Sequence, residues 1–166
     1  MPPVRGGREG EGSWAVSGMF STKGRYALRA MADLAANDGW VSLGDVSRRQ
    51  NISRKYLEQV VALMLKAGYV ESQRGKGGGY RLTKKPEEYT LGAILRAAEG
   101  RSLAPVACLD CTNDEICSLL DTCPTVALWR DLSKVTATYL DSKTLADLKP
   151  VGEIPEGADG MDMLGI

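Results

Sequence analysis

SRKYLEQVVALMLKAGYVESQRGKGGGYR, residues 53 to 81, is the stretch whose reading decides the fold. It begins as a helix. Ser53 is a good N-cap, because its hydroxyl accepts from an otherwise orphaned amide of the first turn. Leu57, Val60, Val61, Met64 and Leu65 recur at spacings of three and four and make one apolar stripe. Gly68 follows the last periodic residues and suits the left-handed position past a helix end. The opposite face carries Arg54, Lys55, Glu58 and Gln59 near its N-terminal end. A helix that enters a major groove presents its base-reading side chains there, and Gln or Glu can address adenine or cytosine edges. For an isolated helix a merely solvated polar face is the simpler reading. The residues that follow favour the other.

Tyr69-Val70-Glu71-Ser72-Gln73-Arg74 alternates as a strand does, and Tyr80-Arg81-Leu82-Thr83 can return antiparallel to it. Between them lie Gly75, Lys76, Gly77, Gly78 and Gly79. With so few side chains, backbone amides can approach a phosphate closely. Arg74 and Lys76 add charge at the tip, where an arginine can enter a narrow minor groove. A nucleotide-binding phosphate loop would end in Gly-Lys-Ser/Thr and run directly into a helix, and neither follows here. Helix and hairpin together describe a recognition helix and its wing, with double-stranded DNA as the expected partner.

Working upstream, Asn51-Ile52 is a turn, preceded by a short helix from Leu43 to Gln50 that Ser42 caps, with Asp45 placed for a reciprocal contact. Trp40-Val41 is an extended connection. Before it, Ser21 or Thr22 caps a helix carrying Tyr26, Ala27, Ala30, Met31, Leu34 and Ala35, which ends near Asn37-Asp38-Gly39. Lys23 and Arg25 in its first turn oppose the helix dipole unless an anion sits there, and a DNA phosphate is such an anion. Residues 1–18 are rich in glycine and charge without apolar periodicity and read as a disordered extension or tag outside the fold. Downstream, Pro86 to Tyr89 is a turn. Thr90 caps a helix from Leu91 to Glu99 whose Leu91, Ile94, Leu95 and Ala98 face inward, and Gly100 ends it. Residues 19–100 therefore form a winged helix-turn-helix domain.

The chain has 166 residues and 17.9 kDa, enough for one domain with tails. Its 21 basic and 21 acidic residues balance, so only local clustering bears on nucleic acid. No apolar run is long enough to cross a bilayer and no secretory signal is apparent, which makes a cytoplasmic setting, away from membranes, the expectation.

All four cysteines lie between Cys108 and Cys123, and Cys111, Cys117 and Cys123 are evenly spaced. Disulfides are disfavoured in a reducing cytosol, so four thiols in one loop (residues 101–123) read as a metal site. Zinc sites usually show paired CxxC ligands, and only Cys108 and Cys111 are so paired. Wider thiolate spacing fits an iron–sulfur cluster better, although zinc stays open on spacing alone. Past the loop, Pro124 suits a first helical turn. Leu128, Trp129, Leu132, Val135, Tyr139 and Leu140 give a wide apolar face on a helix to about Ser142, within a segment 124–148. One small core has little room for that face. A two-fold dimer has room, and palindromic half-sites require paired recognition helices. Thr144 to Leu148 is one more helical turn, and residues 149–166, with several glycines and acids, read as a disordered tail. The fold class is thus mainly α with a small β-hairpin, a winged helix-turn-helix domain followed by a long dimerisation helix.

Four passages carry a family resemblance: Ser21-Thr-Lys-Gly-Arg-Tyr-Ala27, Tyr56-Leu-Glu-Gln59, Arg74-Gly-Lys-Gly-Gly-Gly-Tyr80 and Cys123-Pro-Thr-Val-Ala-Leu-Trp-Arg-Asp-Leu132. Residues 19–148 resemble the bacterial winged-helix regulators typified by IscR, NsrR and CymR. The resemblance implies a homodimeric repressor with no enzymatic activity, Glu58 and Gln59 in the major groove and Arg74 in the minor groove. The DNA-binding candidates are therefore Lys23, Arg25, Ser53, Arg54, Lys55, Tyr56, Glu58, Gln59, Arg74 and Lys76. It also implies Cys111, Cys117 and Cys123 as ligands of a 2Fe–2S or 4Fe–4S cluster. The fourth ligand departs from the pattern. IscR-type proteins place a histidine where Val126 stands, and this chain has no histidine. NsrR-type proteins supply an acid from the first helix, where Arg25 stands. Cys108 is the local candidate. Two alternatives remain: a cofactor-free CymR-type regulator controlled by thiol oxidation or a partner protein, and a small iron–sulfur electron carrier. The carrier has no use for a recognition helix and a basic wing.

Overall fold

The computed structural model describes residues 20–100, 103–106, 109 and 118–148. The N-terminal extension, the tail from residue 149, and Cys108, Cys111 and Cys117 lie outside the described residues.

Hydroxyl caps start four of the helices. Ser21 accepts from the Gly24 amide at the head of α1 (Thr22–Ala35), and Ser42 from Asp45 at the head of α2 (Leu43–Gln50). Ser53 does the same through Tyr56 for α3 (Arg54–Lys66), and Thr90 through Ala93 for α4 (Leu91–Glu99). Each cap satisfies a first-turn donor that would otherwise need water. The end of α3 is as legible. Gly68 takes φ 72°, its amide donates to Leu65 O at 3.0 Å, and the Tyr69 amide reaches back to Met64 O at 2.9 Å. That pair of bonds closes the helix and aims the chain into β1 (Val70–Gln73).

β1 pairs antiparallel with β2 (Gly79–Leu82) in the register Val70 with Leu82, Glu71 with Arg81, Ser72 with Tyr80, and Gln73 with Gly79. Val41, expected only to connect, bridges to the outer edge of this two-stranded sheet. Its amide and carbonyl exchange two 2.9 Å hydrogen bonds with Tyr80. The wing is thereby rooted beside the first residue of the helix-turn-helix. Tyr89 pins its base: the buried ring meets Tyr69 edge-on at 5.6 Å, and its hydroxyl donates to Tyr69 O and accepts from the Lys84 amide.

The core forms where α1 crosses the other helices. Ala27, Ala30, Met31 and Leu34 of α1 pack with Leu57, Val60, Val61 and Met64 of α3, with Val46 of α2, and with Ile94 and Ala98 of α4. These are positions that the three- and four-residue spacings select, except that Leu65, expected in the α3 stripe, lies at its edge and is exposed. Gly24 lets α1 and α4 approach closely, since a methyl group there would overlap the Glu99 carboxylate. That carboxylate accepts from both the amide and the hydroxyl of Ser21, each at 2.9 Å.

α5 (Val126–Asp141) begins two residues beyond Pro124 rather than on it, because Thr125 is already the N-cap and the Val126 amide closes a turn onto Cys123 O. α5 has no buried residue. Its far end nevertheless returns to the core. Asp141 pairs with Arg96 and fits over Gly92, the Leu91 amide donates to Lys143 O at 2.8 Å, and Leu145 is buried among the core residues. The segment after residue 124 thus leans on the first domain through its last turn. Among the described residues no helix is long and apolar enough to cross a membrane.

Candidate nucleic-acid interface

The front of α3 is open. Ser53, Arg54, Lys55, Glu58 and Gln59 are exposed, and Tyr56 is half-buried. The stripe behind them, Leu57, Val60, Val61 and Met64, is fully buried, so the helix cannot roll to hide its polar side. Arg54 pairs with Glu58 one turn on, at 3.2 Å. At the surface such a pair adds little stability. It does offset part of the charge on the Glu58 carboxylate.

Tyr56 meets Tyr26 of α1 edge-on, with ring centroids 5.2 Å apart and planes at 82°. The contact brings the opening turns of α1 and α3 together. Lys23 and Arg25 both precede Tyr26 in the first turn of α1, and that contact sets this turn beside the opening turn of α3, which carries Arg54 and Lys55. Arg25 is exposed and donates to the Thr22 hydroxyl, while Lys23 is half-buried.

Behind the turn between α2 and α3 lies a polar cluster that sequence reasoning missed. Asp33, on the buried side of α1 and only 5% exposed, takes two bonds from Arg49, at 3.0 and 2.6 Å, and one from Gln50 Nε2 at 2.9 Å. Arg29 donates to both the side-chain and the main-chain oxygen of Gln50. One signal was available: an acid in ALRAMADLA, at a position that the apolar period assigns to the core. Burial alone would raise the Asp33 carboxyl. The bonds from Arg49 and Gln50, with the guanidinium charge, outweigh it and hold the group below its ordinary value. The stabilisation is therefore complete above about pH 4 and is lost as pH falls through the lowered value. Asp33→Asn should melt below the native protein at neutral pH, with the gap closing in acid. A gap that stays constant from pH 7 to pH 3 would show that the charge contributes nothing.

The wing carries Arg74 and Lys76 exposed at its tip. Gly75 and Gly77 hold φ of 98° and 82°, a region where side chains are strained. On the strands, Arg81 lies over Trp40 at 4.4 Å and pairs with Glu71 across the ladder at 2.5 Å.

Of the cysteines, Cys123 sits just ahead of α5, half-exposed, with its sulfur 3.3 Å from the Thr125 hydroxyl. That hydroxyl and the amides of Thr125 and Val126 draw its thiol below the ordinary value, which favours thiolate. Among the described residues no three His, Cys, Asp or Glu side chains gather as a metal site.

Comparison with known proteins agrees with this geometry. The family model Rrf2, described as an iron-dependent transcriptional regulator, matches residues 20–150. The HTH-type transcriptional regulator IscR of Aliivibrio salmonicida is 42% identical over 142 residues, covering 84% of this chain and 82% of that one. Among solved structures, IscR of T. potens superposes with a TM-score of 0.58 at 37% identity, covering 76% of this chain and 82% of the other. CymR, the global cysteine regulator of B. subtilis, gives 0.62 at 38% identity, covering 77% and 93%.

Proposed function

The chain belongs to the Rrf2 family of DNA-binding transcription regulators, and from that premise we propose that it is a cytoplasmic homodimeric repressor reading a palindromic operator under the control of a thiolate-bound cluster. It is a regulator and not an enzyme. The observation that carries the reading is the exposed polar front of α3, fixed by a buried stripe behind it and accompanied by a glycine-rich basic wing.

In this reading Glu58 and Gln59 address base edges in the major groove, Ser53, Arg54, Lys55, Tyr56, Lys23 and Arg25 hold flanking phosphates, and Arg74 with Lys76 follows the adjacent minor groove. A mobility shift on palindromic DNA across a salt series tests it. Log affinity should fall with log salt by about 0.9 per phosphate neutralised. Gln59→Ala should cost about 1–3 kcal/mol per half-site and relax the choice of base at one position. A shift equally strong on any duplex, unchanged by that substitution, would rule out base reading.

The donor chemistry suits an iron–sulfur cluster. Cys123 is accessible and biased toward thiolate, three further cysteines lie within the same stretch, and no histidine competes. Cys111, Cys117 and Cys123 would hold it, with Cys108 as fourth ligand. Bound there, it would supply a centre whose integrity reports on oxidants and iron supply. Anaerobic purification with visible absorption and iron, sulfide and zinc analysis tests this, and colourless protein with stoichiometric zinc would remove the cluster. Cys108→Ala should weaken cluster retention, and unchanged retention would release that residue from the role. The likeness to CymR supports a second reading, a cofactor-free regulator, which metal-free protein with full operator affinity would favour.

A further inference from the structure

We infer that Arg29, Gln50 and Asp33 form a clasp that sets the angle of α3, so that they govern discrimination between operator and other DNA without touching either. The inference rests on α3 being the reading helix.

The elbow between α2 and α3 is only Asn51, Ile52 and Ser53, and it turns on Asn51 in the left-handed region at φ 50°, ψ 47°. Its local bonds are few. The Ile52 amide donates to Ser47 O at 3.3 Å, and the Ser47 hydroxyl donates to Ile52 O at 2.7 Å. Both tie the elbow to α2, and neither reaches α1. Ile52 itself is buried in the core, 3% exposed, and the polar tether from the elbow to α1 is Gln50, the residue before it. Its side-chain oxygen accepts from Arg29 Nε at 3.3 Å, its main-chain oxygen accepts from Arg29 Nη2, and its amide nitrogen donates to Asp33 Oδ2 at 2.9 Å. Both ends of one side-chain amide are thus spoken for by α1. Arg49 closes the cluster from the neighbouring position, with two bonds to the same carboxylate.

A second point of attachment lies just past the elbow. The Arg29 guanidinium stands 5.8 Å from the centre of the Tyr26 ring, which meets Tyr56 in the first turn of α3. α1 therefore grips the chain on both sides of the bend, through Gln50 before it and Tyr56 after it. Two fixed points define an angle, whereas the apolar stripe of α3 defines only which side faces inward. The chemistry points the same way. The Asp33–Arg49 pair, with its carboxylate buried and its guanidinium half-exposed, is a modest source of stability compared with apolar packing. Its hydrogen bonds are directional, so it specifies an arrangement that apolar contacts would leave loose.

The competing role for Arg29 is a direct phosphate contact, since it is exposed and basic. Three variants separate the two: Arg29→Ala, Arg29→Lys and Gln50→Glu, the last placing a second carboxylate against Asp33. The clasp predicts that Arg29→Ala keeps its thermal midpoint within a few degrees and its affinity for a scrambled duplex. Its affinity for the operator falls about tenfold or more, with the salt slope unchanged. Arg29→Lys does not rescue, because an ammonium cannot serve both Gln50 oxygens in the guanidinium's fixed geometry. Gln50→Glu behaves like Arg29→Ala. A slope shallower by about 0.9 per half-site, with rescue by lysine, would overturn the inference in favour of a phosphate contact. Amide hydrogen exchange on the free protein gives a readout independent of DNA. Residues 50–56 should exchange faster in Arg29→Ala, and unchanged exchange would overturn the clasp whatever the DNA data say. Faster exchange in a protein whose native form prefers no duplex would instead sink operator reading by α3, and the discrimination assigned to the clasp with it.

Discussion

Leu132→Asp is expected to leave a folded monomer whose affinity for a palindromic duplex is lower by about two to four orders of magnitude. The expectation comes from α5. Leu128, Leu132, Val135 and Tyr139 are 60%, 39%, 66% and 55% exposed, and their spacing of four, three and four makes a single seam. Water is a poor neighbour for such a stripe, and a second copy about a two-fold axis is a good one. A carboxylate at Leu132 would then enter an apolar seam twice, once from each copy, without a partner. Leu132 is exposed and is no part of the buried core, so the melting of the domain itself should hardly change. Losing the dimer removes the advantage of delivering a second reading helix already tethered to the first. Light scattering gives the mass, and mobility shifts on whole and half operators give the affinity. A Leu132→Asp protein that remains dimeric and binds normally would mean that α5 is not the interface.

Gly79→Ala is expected to cost on the order of 2–3 kcal/mol and to weaken DNA binding beyond what the lost stability accounts for. At φ 155° Gly79 lies flat against the neighbouring chain, and an added methyl group would overlap the Val41 carbonyl and come within 3.0 Å of the Ser42 nitrogen. All of those atoms are backbone, so no side chain can swing aside. Relief requires Val41 and Tyr80 to separate, giving up both of their 2.9 Å bonds. That seam roots the wing beside α2, so Arg74 and Lys76 lose their fixed relation to α3. Denaturant melts measure the first effect. A phosphate-dependent salt slope that flattens in the variant measures the second, and a native-like melt would show that the strand contact is dispensable.

Much of the fold was legible because short-range chemistry announced it. Ser42, Ser53 and Thr90 start their helices where a hydroxyl precedes an apolar period, and Gly68 and Gly100 stop theirs with φ of 72° and 68°. The open front of α3 followed from the same periodicity. What escaped is long-range or too short to show a period. Val41 contributes one residue to a sheet, and one residue has no alternation. Arg29 and Gln50 look like ordinary solvated side chains, because their partnership spans the whole first helix and its neighbour. The return of Leu145 to the core was hidden for the same reason. The cysteine ligand set stands on donor chemistry and resemblance, since spacing gives order along the chain and not the distance between sulfurs.

α4 has a further consequence. At its last residue Glu99 grips Ser21. The final turn of α5 is fastened to α4 by Arg96, Gly92 and the Leu91 amide. α5 is therefore a lever with its pivot at Asp141. Sixteen residues at about 1.5 Å each make an arm of about 24 Å, so a tilt of about 10° at the pivot displaces the far end by about 4 Å. The other end of the arm adjoins Cys123, so in the proposed dimer a displacement there is converted into travel along the seam between copies.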